Sequence, residues 1–414
     1  MQVAVVGAGV IGICTAYFLA EAGHEVVVIE RRNNVAEEAS FGDAGVLAHD
    51  GGLPWILPDL RRTLLSSLTK PASPVFMGRP FDPAMWRWIR QWRREGEADL
   101  YRVNHERLHR IAAYSREVMA YLRERHGLDY EQAGGCLHLL RTERETQLMQ
   151  PVLAFLSEHG VRYRFLDADA TRSIEPALHP HTPLAGSLHF PDDESGNCPL
   201  FARQLRQQAQ QLNVEFLFGS EVQAVRQAHR GVLLHIDGKD FPADAVVLAT
   251  GADSAGLLAS LGLPFPFQRT RCVAATAAIR NFESAPRAAL LDTAYQVSIA
   301  RMDQRIRIAG TVELGANREV LRRAAVNTLL KVANDWFPDA CNYNTASFWS
   351  GTSMMLPDGP PVVGATAIPR VFVNLGHGAF GWTMAAGAGK LVADLLSKGA
   401  ADIDTEGLTP ARYS

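Results

Sequence analysis

The chain opens Gln2-Val3-Ala4-Val5-Val6-Gly7-Ala8-Gly9-Val10-Ile11-Gly12-Ile13-Cys14-Thr15-Ala16-Tyr17-Phe18-Leu19-Ala20 and runs on to Val26-Val27-Val28-Ile29-Glu30. Val3 to Val6 is a short continuous apolar run, as expected of a strand buried on both faces. A helix follows through Ile13, Ala16, Tyr17, Leu19 and Ala20, with Gly23 suited to its C-terminus. Val26 to Ile29 is the next buried strand. The glycines between strand and helix have separate tasks. Gly7 permits the tight turn, Gly9 lets the backbone approach a pyrophosphate, and Gly12 allows close helix–strand packing. The helix N-terminus then offers unpaired N–H groups and a partial positive charge to an anion. Glu30 stands eighteen residues after Gly12, at the strand end, where a carboxylate accepts hydrogen bonds from both ribose hydroxyls. That acid disfavours a 2′-phosphate. The segment therefore predicts a βαβ dinucleotide site of the NAD or FAD type and does not separate the two.

The rest of the chain bounds what can surround this site. At ~150 residues per domain, 414 residues suggest two to three domains. A hydrophobic share of 47% and a charged share of 21% exclude wholesale disorder. The charge balance, 41 − 44 = −3, argues against a nucleic-acid protein. Cys14, Cys136, Cys198, Cys272 and Cys341 are odd in number and contain no CxxC pair. They predict neither a disulfide framework nor a metal site, and favour a reducing compartment. The apolar start lacks a basic leader and carries three glycines, so it reads as the first strand and helix rather than a signal peptide. No other apolar stretch reaches the ~18 residues of a membrane span; peripheral membrane contact stays open.

Residues 51–100 are rich in Pro, Trp and Arg, and a long charged helix is expected over 101–126. Pro199–Leu212 reads as an amphipathic helix and Val214–Phe218 as a strand. Val222–Arg226 and Val232–Ile236 form a meander turning at Asp237-Gly238. Ala245–Ala249 is a further buried strand running into Thr250-Gly251. Alternating strands over 270–312, among them Tyr295–Ala300 and Arg305–Ala309, predict an antiparallel sheet. Strand Val371–Asn374, a Gly-rich turn and a helix over Thr383–Ser397 close the chain. Ala249-Thr250-Gly251 closing a strand after the meander is a layout that FAD-binding proteins share, so the fold class expected is an α/β FAD-binding (Rossmann-like βαβ) domain plus an α+β substrate domain with a mainly antiparallel sheet. The dinucleotide domain is discontinuous, 1–60, 190–255 and 344–414, with 61–189 and 256–343 forming the other.

Several segments then carry a resemblance. Asp193-Glu194-Ser195-Gly196-Asn197-Cys198, Leu291-Asp292-Thr293-Ala294-Tyr295, Arg301 through Arg307, Gly376 through Met384 and the closing Ala411-Arg412-Tyr413-Ser414 resemble the D-amino-acid oxidase-like flavoproteins nearly end to end. Within them the chain is most similar to the small subunits of bacterial D-amino acid dehydrogenases. The resemblance implies FAD as cofactor, held by Gly7, Gly9, Val10, Ile11, Gly12, Glu30, Arg31, Ser40, Ala44, Gly45, Val222, Thr250, Gly251, Gly376, Gly378, Gly381, Trp382 and Thr383. A helix N-terminus after Gly378 would stabilise negative charge on a reduced ring. The implied reaction is oxidative deamination of a D-amino acid by hydride transfer from Cα to flavin N5. Electrons would pass to a quinone or electron-transfer protein rather than to oxygen. The implied location is cytoplasmic or peripheral on the inner face of the plasma membrane. His49 stands where some flavoproteins attach FAD covalently, but its surroundings match poorly.

The family anchors the substrate carboxylate with a Tyr and an Arg, because a guanidinium forks onto a carboxylate. Tyr295 falls on the tyrosine position, and His377 is expected to contact substrate or flavin. The arginine position of Trp-x-Gly-x-Arg-Pro is Ser353 here, within Trp349-Ser350-Gly351-Thr352-Ser353-Met354. Upstream, Gln268-Arg269-Thr270-Arg271 stands where relatives carry Lys-Gly-Tyr. The expectation is that Arg269 or Arg271 supplies the carboxylate anchor from a neighbouring strand. Asp43 replaces a common Asn near the flavin. Two alternatives remain: oxidation of cyclic or secondary amino acids of the D-proline or hydroxyproline type, and a non-catalytic FAD subunit of a heteromeric complex.

Overall fold

Val3, Val5, Val28 and Val247 have no more than a trace of exposed surface, as their uninterrupted apolar runs require. They lie in a six-stranded sheet ordered Val362–Ala365, Val371–Leu375, Ala245–Leu248, Gln2–Val6, Glu25–Glu30, Glu215–Phe218. All neighbours are parallel except the first pair. The computed structural model describes residues 1–52, 72–79, 81–263, 265–315 and 321–413. The boundary expected at residue 60 lies outside them.

One face of this sheet is covered by four helices, Val10–Glu21, Ala98–His126, Cys198–Gln211 and Gly381–Lys398, whose apolar side chains merge into one core. Close approach of the first and last depends on Gly389, where any Cβ would run into Cys14. The other face carries the antiparallel meander Val222–Gln227, Val232–Ile236, Lys239–Ala243. It turns at Asp237 and Gly238, both at positive φ (48° and 81°), as a tight hairpin demands.

The second sheet is larger and mostly antiparallel. Its path runs Ser347–Met355, Gln268–Ala278, Arg305–Leu314, Val297–Met302, Ala289–Asp292, Ala133–Leu140, Gly186–Ser195, Val46–Leu47. Helix Arg323–Trp336 packs its Leu329, Val332 and Trp336 onto one face, against Val273, Ile299 and Ile308. The opposite face turns toward the dinucleotide unit: Gly45 there sits so close to Met302 and Ala300 that a Cβ would overlap the Met302 methyl.

The strand pairing moves two boundaries drawn from sequence. Ser347–Met355, expected in the dinucleotide domain, is the edge strand of the large sheet, bonded along its length to Gln268–Ala278. Helix Ala98–His126, expected in the substrate domain, instead buries Leu108, Ile111, Val118 and Leu122 in the dinucleotide core. Charged positions hid that face, since Arg and Glu alternate with it along all 29 residues. Among the described residues no helix is long and apolar enough to cross a membrane.

Candidate cofactor and substrate site

A cleft runs from the first βαβ turn, past the end of Ala245–Leu248, to the turn before the C-terminal helix. Its walls at one end are Gly7, Gly9, Val10, Ile11, Glu30, Arg31, Ser40, Val222, Thr250 and Gly251. Gly7 adopts φ +105°, and a Cβ on Gly12 would collide with the Gly7 carbonyl. The turn thus exists only with glycine at both positions. Gly9 caps the helix without a side-chain bond of its own, and Val10 N–H donates to Ser40 Oγ at 3.1 Å. Glu30 is nearly buried and accepts from Ala8 N–H at 2.7 Å and Arg32 N–H at 2.8 Å. Those bonds fix its carboxylate at the cleft floor. Arg31 is drawn aside by Glu38, 2.8 Å away.

At the other end the walls are Thr352, Ser353 and Met354 from the edge strand, and Gly376, His377, Gly378, Ala379, Gly381 and Trp382 from the last turn. Gly376 and Gly378 take φ of +79° and +54°, which bends the chain from strand Val371–Leu375 into the helix. An isolated bridge ties His377 to Met355 and fixes the distance between the two walls. Burial pushes His377 down to about 3, so its ring is neutral. Its Nε2 and the indole Nε1 of Trp382 are buried without a partner. Such polar atoms in a cleft wall need a ligand or solvent to satisfy them.

The glycine cradle, the fixed Glu30 carboxylate and these orphaned polar atoms fit a flavin dinucleotide laid along the cleft. With the geometry in view, the comparisons agree. The family model of FAD dependent oxidoreductases (DAO) matches residues 2–395. The chain belongs to this family and its cofactor is FAD. Its fold is that of a glycine oxidase from Geobacillus kaustophilus (24% identity, TM-score 0.78, 99% of each chain covered). It is also that of an L-proline dehydrogenase from P. horikoshii (17%, TM-score 0.75, 100% of this chain and 97% of that). An iminodiacetate oxidase from Chelativorans sp. BNC1 (20%, TM-score 0.71, 99% and 98%) shares it too. This protein is therefore an FAD-dependent oxidoreductase of the DAO family.

Four residues expected at the cofactor stand off the cleft wall. Gly12 serves packing, as above. Gly45, at φ +77°, is pressed between Met302 and Gly196. Ala44 lies in the same loop, and Thr383 Oγ1 accepts from Ala48 N–H at 3.2 Å, pinning segment 46–52 to the helix start. Their contribution is to shape the wall.

The substrate-side expectations need correction. Tyr295 is not at the cleft. It packs in the helix-side core of the large sheet, with the Arg141 guanidinium 5.0 Å and Lys331 Nζ 5.1 Å from its ring centre. Asp292 beside it holds Arg141 and the Trp336 indole, each at 2.7 Å. Arg269 and Arg271 do lie on the strand next to Ser353, in the register Arg271–Thr352, Thr270–Ser353, Arg269–Met354. Side chains alternate along a strand, so both arginines leave the face that Ser353 and Thr270 share. Arg269 Nη2 donates to Thr352 Oγ1 at 3.4 Å, and Arg271 is buried. Neither lines the cleft. The partner of Ser353 is Thr270, hydroxyl to hydroxyl at 3.0 Å.

Sequence reading passed over Arg307. It shares the cleft-side face with Trp349 and is buried beneath loop 39–45, where Nη1 donates to the Phe41 carbonyl at 3.0 Å. Trp349 fills the hollow left by Gly42 and Gly351; a Cβ on either would enter its ring. Arg307 and Trp349 thus clamp the loop that carries Ser40 and Asp43 to the cleft. Only the alternation of Arg305-Ile306-Arg307, a charge flanked by core positions, hinted at a buried guanidinium. Asp43 accepts from Gly45 N–H at 2.8 Å. Burial raises its carboxyl to about 6, against the opposing pull of that N–H and of Arg307.

Proposed function

We propose that the enzyme oxidatively deaminates D-amino acids and passes the electrons to a non-oxygen acceptor, a quinone or an electron-transfer protein. Bound FAD supplies the hydride acceptor for a carbon next to nitrogen and carboxylate. The observation that carries the reading is the wall pairing at one end of the cleft. There the start of helix Gly381–Lys398 shares the cleft with Ser353, whose hydroxyl is backed by buried Thr270. The helix N-terminus and its turn aim N–H groups where negative charge grows on reduction. Neutral His377 adds a donor without a competing charge. Ser353 offers a substrate carboxylate one weak hydroxyl donor in place of a fork, with buried Thr270 behind it as its partner. D-amino acids are favoured by the end-to-end likeness to D-amino acid dehydrogenases.

The hydroxyl pair also favours a second reading. A secondary amine such as D-proline is held by its ring as well as its carboxylate, and so depends less on a guanidinium. An anaerobic substrate screen read by flavin absorbance separates the two. Bleaching by primary D-amino acids supports the first reading, and bleaching confined to cyclic or N-alkyl substrates supports the second. No bleaching by any of them overturns both. Reoxidation by a soluble quinone in preference to oxygen is the outcome expected for the acceptor.

A further inference from the structure

A second cavity, of about 250 Å³, lies apart from the FAD cleft and shares no wall residue with it among those described. Its walls are His49, Arg116, Arg123, Asp192 and Glu194. Arg116 and Arg123 stand seven residues apart on helix Ala98–His126. Two turns bring them to the same side, ~10.5 Å apart along the axis.

The donors and acceptors of this cavity do not balance. Glu194 is spent on Arg123 Nη1 and the Tyr130 hydroxyl, both at 2.7 Å. Both oxygens of Asp192 are spent on Arg162. Asp50 takes Arg116 Nη1 at 2.7 Å, and Asp193 takes the backbone N–H groups of Asp50 and Gly51. Every bond that Arg116 and Arg123 make to the described residues uses Nη1, including those of Arg123 to Tyr130 and Gln132. Their Nε and Nη2 edges face no acceptor there. His49 is 2% exposed, and neither ring nitrogen has a hydrogen-bond partner. The one backbone group acting on it is that of Thr383. Burial pushes it down to about 3, so it stands as a neutral ring in the cavity wall. The side chains of Arg116 and Arg123 keep 41% and 33% of their surface in solvent, so the cavity is open to small molecules.

Each wall carboxylate already holds a donor, while two guanidinium edges make no bond to the described residues, and a small anion can bridge such edges. The carboxylates of Asp192 and Glu194 in the same wall repel a doubly charged anion more than a singly charged one. We propose that this cavity is a second ligand site, binding a small monocarboxylate between Arg116 and Arg123 with His49 beneath. The proposal is independent of which amine the FAD cleft oxidises.

Isothermal titration of the holoenzyme with sodium propanoate, and separately with inorganic phosphate, tests it at pH 7 and constant ionic strength. The expected result is saturable propanoate binding that weakens by about 10-fold or more in Arg123→Gln and His49→Phe, a loss of ~1.4 kcal/mol. The flavin spectrum of both variants should match that of the parent. Arg116→Gln should act likewise; because it strands Asp50, the first two variants carry the test if it does not fold. Propanoate binding unchanged in the variants would place the anion in the FAD cleft and overturn the proposal. So would phosphate binding more tightly than propanoate, or no saturable propanoate binding at all.

Discussion

The two ends of the FAD cleft are built by different means. The dinucleotide end is made by backbone: a turn closed by Gly7 and Gly12, a helix N-terminus, and Glu30 held by two N–H groups. The substrate end is made by side chains from separate strands. Ser353 meets Thr270 hydroxyl to hydroxyl across neighbouring strands, on a wall whose spacing is set by the backbone bridge between His377 and Met355. Backbone chemistry tolerates almost no substitution, whereas side-chain walls can be exchanged one residue at a time. That contrast explains how the fold is shared with proteins only 17–24% identical, and it can be broken at either end.

The largest effect is expected at the backbone end. Gly12→Val drives a branched side chain into the Gly7 carbonyl, and overpacking of this kind costs ~3 kcal/mol or more. The variant should purify without the visible flavin spectrum, or bind FAD at least about 100-fold more weakly by fluorescence titration. Retention of FAD with parent affinity would show that the turn can relax, and would remove the contrast. Glu30→Gln comes next. The amide keeps one acceptor oxygen but loses the charge that strengthens the bonds to Ala8, Arg32 and a ribose. Charge-assisted bonds are worth ~1.5–3 kcal/mol, so FAD affinity should fall about 10- to 100-fold in the same titration.

At the substrate end the expected effects are smaller and kinetic. Thr270→Val and Ser353→Ala each remove half of the hydroxyl pair. If that pair holds the substrate carboxylate, each should raise KM about 3- to 10-fold with kcat little changed, the mark of lost ground-state binding. FAD affinity should stay as in the parent. A fall in kcat at constant KM would assign the pair to the chemical step instead.

The same contrast decides what could be read from the sequence. The βαβ start, the first two strands of the meander, the strand Val371–Leu375 and the C-terminal helix each follow a local period or turn rule, and each lies within a residue or two of its expected place. Gly7, Gly9 and Glu30 were legible because their spacing within one unit is itself the geometry. The substrate wall was not, because it depends on which strands lie side by side and on which face. Arg269 and Arg271 were placed on the right strand yet on the wrong face relative to Ser353, since alternation is visible in a sequence but the buried side is not. Tyr295 failed for the same reason: it tops the large sheet on the side of helix Arg323–Trp336. Arg307 was missed because a clamp between a sheet and a loop some 260 positions away leaves no local pattern.

The finest test compares the carboxyls at the two ends. Glu30 is met by two N–H donors at its carboxylate, while Asp43 has one, from Gly45, and is raised by burial to about 6. The sign follows directly. A carboxyl whose folded value lies above its unfolded value of 3.8 favours the folded loop when protonated, and that benefit is lost as pH rises through about 6. Above that pH the ionised Asp43 also faces the cleft and opposes negative charge on the cofactor. Flavin reduction by substrate should therefore show a limb centred near pH 6, a few-fold faster on its acid side after correction for substrate ionisation. Asp43→Asn keeps an acceptor for Gly45 N–H and abolishes the titration, so the limb should vanish and the rate at pH 8 should rise. The same substitution should raise the melting temperature at pH 8 more than at pH 5. A limb that persists in Asp43→Asn would assign the titration to another group and leave the two carboxyls equivalent in effect.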